Sequence, residues 1–130
     1  MTVVPNAPST TNDLAVAEWK LQDALLEVES REHMLKLHEL AVSVYEQLAG
    51  SARKVVVDIR DGIRESGLVA INGWTALIEA ADRQLAENEA KAAAAKEVWV
   101  QACLDLHNAR VHVDQARHDV ALYRRIAGVR

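Results

Sequence analysis

The sequence predicts an all-α protein, a long antiparallel helical hairpin of the coiled-coil type with an Ala-rich seam. Three observations carry that reading: two unbroken heptad ladders, a near absence of helix breakers within them, and complementary side-chain sizes when one ladder is folded onto the other. Every seventh residue from Leu14 reads Leu14, Leu21, Val28, Leu35, Val42, Ala49, Val56, Ile63. From Ile78 the series is Ile78, Leu85, Ala92, Trp99, Leu106, Val113, Val120, Ala127. A period of seven held over so many turns keeps one apolar seam against a helical partner.

Residues 1–12 contain Pro5, Pro8 and a run of Ser, Thr and Asn, so they read as an extended N-terminal arm. Asn12 or Asp13 would cap the first helix, because either side chain accepts from the free amides of a first turn. The helical hairpin domain then occupies 13–130, with arms at about 13–66 and 70–127. Gly50 and Gly62 are the breakers inside the first arm, each costing ~1 kcal/mol relative to Ala. The ladder passes Gly50 without losing phase, which favours a single helix. A break at Gly50 would instead give three helices. Ser66-Gly67 is a stop signal, since Gly takes the left-handed conformation after a last turn. Between Trp74 and Ala127 there is no Gly or Pro, and Gly128 closes the second arm.

Folding the chain near residues 67–70 pairs Leu21 with Ala116, Ala24 with Val113, Val28 with Ala109, Leu35 with Ala102, Val42 with Ala95, Tyr45 with Ala92, Ala52 with Leu85, and Val56 with Ala81. Large faces small in each layer, which lets two helices approach and interdigitate. The same fold-back brings an acidic end beside a basic one. Residues 1–50 carry eight acids against three bases, and 106–130 carry two acids against five arginines and three histidines.

Composition narrows the function. The 130 residues suit one domain, and a net charge of −4 argues against a general nucleic-acid binder. No stretch reaches the ~18 apolar residues of a membrane span, and the N-terminus lacks the basic start and apolar core of a secretory signal. A cytoplasmic location is expected, or a virion location if the chain is phage-encoded. Cys103 is the single cysteine, which leaves no intrachain disulfide.

No catalytic motif is present: no Gly-rich phosphate loop, nucleophile elbow or Cys/His pairing. Neither an enzyme nor a cofactor is expected. The histidines at 33, 38, 107, 112 and 118 include no i, i+4 pair and no Glu-x-x-His, so no metal site is expected. His38 falls on the seam opposite Trp99 as an interior side chain.

Apolar residues left off the seam are the candidate functional positions. Leu26, Leu37, Leu40 and Val44 on the first arm, with Val100, Leu104 and Val111 on the second, are expected to merge into one patch. Such a patch either packs inside a compact bundle or marks an association surface, most simply a pairing of two hairpins. Trp19 is expected to point outward. Arg117, Arg124, Arg125 and Arg130 could contact anions; the simpler reading pairs this basic end with Asp13, Glu18 and neighbouring acids.

At the level of architecture, without matched residues, the chain resembles phage scaffolding and small virion proteins, and the helical-hairpin stalk proteins of type III secretion ATPases. The expected function is a non-enzymatic structural or assembly protein acting through coiled-coil contacts with protein partners, as a homo-oligomer or a subunit of a larger assembly. The alternative is a small inhibitor or adaptor, of the anti-defence type, that binds a partner through its acidic helical face.

Overall fold

A computed structural model describes residues 6–66 and 72–128 of the chain. Two α-helices account for nearly all of them: α1, Asn6–Ser66, and α2, Asn72–Ile126. There is no strand among the described residues. The protein is an all-α helical hairpin.

α1 starts at Asn6, not at Asn12 or Asp13. The extended arm read for 1–12 is therefore corrected for residues 6–12, while residues 1–5 lie outside the described ones. The reason is positional. Pro8 falls in the first turn, where a missing amide forfeits no intrahelical bond and the fixed φ suits the helix. α1 also runs unbroken through Gly50 and Gly62. A Cβ built at either glycine meets nothing within 4 Å, so neither marks a close approach of another element. The turn residues 67–71 lie outside the described ones. α2 ends where expected. Gly128 has φ +72°, and its amide donates to the Arg125 carbonyl at 3.2 Å while that of Ala127 donates to Tyr123 at 2.8 Å. A left-handed residue just past the last turn satisfies these carbonyls, and glycine takes that conformation without a Cβ penalty.

The chain divides into two compact units. The first joins the α1 segment up to Leu35 with the α2 segment from Ala102 onward; the second is Lys36–Gln101. Each is a stretch of α1 packed antiparallel on a stretch of α2. In the first unit the buried residues are Ala17, Ala102, Leu106, Ala109, Val113 and Val120, with Leu14, Leu21, Ala24, Val28, Leu35 and Ala116 half-buried. In the second they are Ala49, Val56, Ile63 and Ala92, with Val42, Tyr45, Ala52, Ile78, Ala81, Leu85, Ala95 and Trp99 half-buried. Burial thus recurs at alternating intervals of three and four along both helices, on the two ladders. Two positions of this series are exposed instead. Ala127 is exposed because α2 has already ended. Arg31, three residues after Val28, turns its charged head out of the seam to Glu27 at 2.8 Å and Asp105 at 3.6 Å.

A seam between only two helices encloses little. No described side chain reaches full burial, and half of the ten buried core residues are alanines.

Candidate interaction surfaces

Each unit carries a ladder of ion pairs along one flank of its own seam. In the first unit Glu18 meets Arg124 and Glu32 meets Arg110, both at 3.6 Å. The fourteen-residue step from Glu18 to Glu32 is matched by an equal step back from Arg124 to Arg110. In the second unit the rungs are Glu46–Lys96 at 2.8 Å, Arg53–Glu89 at 3.2 Å and Arg60–Asp82 at 3.0 Å. Here each advance of seven residues on α1 is matched by seven back on α2. Helical side chains lean toward their own N-terminus. The heads of Glu46 and Lys96 therefore meet level with the Val42–Ala95 and Tyr45–Ala92 layers, the register that size matching predicts. Asn88 supports it from α2, its Nδ2 donating to the Leu48 carbonyl at 3.4 Å.

The sign of the rungs reverses within the second unit: acid on α1 at Glu46, base at Arg53 and Arg60. A slip of one heptad would set Arg53 against Lys96 in one direction and Glu46 against Glu89 in the other. Exposed pairs contribute only ~0–1 kcal/mol each. Their larger effect here is on register, because like charges replace opposite ones on slipping.

The ladder also shows which flank each exposed apolar residue occupies. Leu26, Leu37, Leu40, Val44, Val100, Leu104 and Val111 are all exposed, between 39% and 62%. Within neither unit do they gather into one patch. In the second unit Val100 stands one turn beyond Lys96, on the ladder flank. Val44 stands two residues from Glu46, a rotation of about 200°, which carries it and Leu37 to the other flank. In the first unit Leu26 lies on the outer edge of α1, and Leu104 and Val111 on the outer edge of α2. Equal height along the hairpin had suggested contact; the rotation about each helix removes it. Trp19 points outward, 66% exposed.

A different stripe emerges on the flank away from the ladder in the second unit. Leu37, Ala41, Val44, Leu48, Ser51 and Val55 recur at alternating intervals of four and three, so they line one face of α1. Their large members are 45–57% exposed. Ala41, Leu48 and Val55 are spaced by seven in the sequence. The stripe was legible there and was masked by the stronger seam series beside it.

Grooves run along the described helices. In the first unit a groove of about 590 Å³ is floored by Ala17, Ala24, Ala109 and Ala116 and rimmed by Asp13, Asp23, Glu27 and Asp119, with Lys20 and His112 opposing them. Small seam residues leave the hollow, and carboxylates dominate its rim. On the ladder flank of the second unit, one groove of about 380 Å³ is bordered by Glu46, Arg53, Glu89 and Lys96. Another, of about 480 Å³, is lined by Val42, Trp99, Val100, Glu39 and the Glu46–Lys96 pair. The Nε1 of Trp99 is buried without a hydrogen-bond partner. The register sets His38 in the same layer, and both side chains are half-buried.

Of the four arginines considered for anion contact, Arg124 pairs with Glu18 and Arg130 lies outside the described residues. Arg117 occupies the rung between Arg110 and Arg124, where the register puts Leu25, not an acid, on α1. Arg125 is exposed. Cys103 is a half-buried free thiol. No group of three or more His, Cys, Asp or Glu among the described residues could hold a metal ion. No described helix is long and apolar enough to cross a membrane.

Comparison of the chain with protein-family models, curated proteins and solved structures finds no match. The functional reading therefore rests on surface and register.

Proposed function

We propose that this chain is a non-enzymatic structural or assembly protein that works through coiled-coil contacts with other proteins, as a component of a bacterial or phage assembly in the cytoplasm or the virion. The observation that carries the reading is apolar surface at helical spacing outside the intrachain seam, as at Leu37, Val44, Leu48 and Val55. Residues repeating at coiled-coil intervals on an exposed face match a helical partner better than a small ligand, which is usually held in a concave enclosure.

The test is site-specific photo-crosslinking in the native host, with a photoreactive amino acid in place of Leu26 or Leu104. Discrete adducts with other proteins are expected. Adducts with none, from either position and from the stripe, would overturn the reading.

A second reading is favoured by the acid-rimmed groove of the first unit. Asp13, Asp23, Glu27 and Asp119 around an alanine floor suit a partner segment carrying Lys or Arg, as an inhibitor or adaptor would require. Reversing Asp23 and Asp119 to Lys should then abolish binding while leaving the helical content unchanged; retained binding by that variant counts against this mode.

A further inference from the structure

We infer that the stripe on α1 in the second unit is a self-complementary dimer seam, and that its occupant is the same stripe of a second copy, antiparallel about a two-fold axis between Val44 and Leu48. This rests on the reading of the chain as a coiled-coil protein and specifies its partner.

The argument begins with spacing. About a two-fold axis, residues equally far before and after the axis face each other. Leu37 then faces Val55, Ala41 faces Ser51, and Val44 faces Leu48, each pair occurring twice. The large side chains meet large ones in four of the six layers, and the small residues meet each other in the remaining two. Shifting the register by one heptad either way breaks this: Val44 would face Ala41, or Leu48 would face Ser51. An isologous contact requires this kind of self-matching, and a face built for an unrelated helix has no reason to have it.

Charge agrees. In this register the residues bordering the seam on its outer edge are Leu40 opposite Lys54, and Gln47 opposite its own symmetry mate. No like charges are opposed. Leu40 is 62% exposed, and the aliphatic stem of Lys54 can cover it while its ammonium stays in water. Beyond Val55 the next position of the stripe is Asp58, so the apolar run ends at Val55 on that side.

Area agrees as well. With exposures of 57, 45, 46 and 51%, Leu37, Val44, Leu48 and Val55 offer on the order of 350 Å² per copy. One side of a standard interface contributes ~800 Å², a little over half of it apolar. The four side chains thus supply most of what a specific dimer of ordinary size needs. The stripe also lies about a quarter turn around α1 from the intrachain seam, which leaves α2 clear of an approaching helix.

The decisive experiment combines mass with cross-linking. The wild-type chain should sediment as a concentration-dependent dimer. Val44→Glu with Leu48→Glu should raise the dimer dissociation constant by on the order of 100-fold or more, since each buried carboxylate would be unpaired. Both sites are exposed within one chain, so circular dichroism should report unchanged helicity. In a Cys103→Ser background, Ala41→Cys with Ser51→Cys should oxidise to a covalent dimer, whereas either cysteine alone should not. A wild-type chain that is monomeric throughout, a dimer indifferent to the double Glu variant, or a dimer that fails to cross-link through positions 41 and 51 would each overturn the inference. A monomer that still forms photo-adducts through Leu26 or Leu104 would remove the self-pairing and leave the assembly role standing.

Discussion

Glu46 and Lys96 meet at 2.8 Å across the seam, one heptad from Arg53 and Glu89, whose charges are reversed. This neighbouring pair of opposite rungs makes the register of the second unit asymmetric. Lys96→Glu should destabilise the fold by about 1 kcal/mol, because the lost attraction becomes a repulsion at an exposed site. Adding Glu46→Lys should recover most of that loss. Urea denaturation of the two single variants and the double variant, read as a double-mutant cycle, checks this. The coupling should shrink in high salt.

Gly50→Ala should stabilise the protein by up to ~1 kcal/mol. The glycine sits inside α1, and an added methyl group would meet nothing within 4 Å. Thermal unfolding followed by circular dichroism would report the gain, and a loss would mean that the helix uses a bend at Gly50.

Ala102 is 9% exposed in the first unit, on the helix facing Leu35. Ala102→Leu adds volume to a layer matched large to small, and should cost ~1–3 kcal/mol. Leu35→Ala in the same chain should relieve part of that cost. Independent, additive losses for the two changes would separate these residues and sink the layer assignment.

Trp99 carries a buried N–H without a partner, worth ~1–3 kcal/mol of unrecovered desolvation. Trp99→Phe removes the donor along with some apolar area, so its net effect on stability should lie within ~1 kcal/mol of zero. Trp99→Ala keeps none of that packing and should cost about 3 kcal/mol. A loss clearly above ~1 kcal/mol for Trp99→Phe would show that the indole N–H is satisfied in solution.

The seam was legible in the sequence because a heptad repeat and a size-matched fold-back are both properties of spacing. The ladder rungs were partly legible, in the uneven spread of acids and bases between the two ends. Two features were misread for definite physical reasons. Proline at Pro8 suggested an extended arm, yet proline opposes a helix interior and not a first turn. Leu37 and Val100 were joined because the fold-back puts them at equal height. Height is only one coordinate, and rotation about each helix puts them on opposite flanks. The charged rungs beside the seam hold that second coordinate, since Glu46 and Lys96 can meet only on a shared flank.

With no described side chain wholly enclosed, neither unit has a keystone. Opening one turn of a helix exposes a few alanines and the edge of a larger residue, and it leaves the turns above and below with most of their contacts. Backbone amides should then exchange with solvent at rates that grade along each helix, without the single deeply protected block of a globular core. Such a protein can yield locally and close again at small cost. A helix of the kind proposed to dock on it would meet a surface able to give locally without the whole chain coming apart.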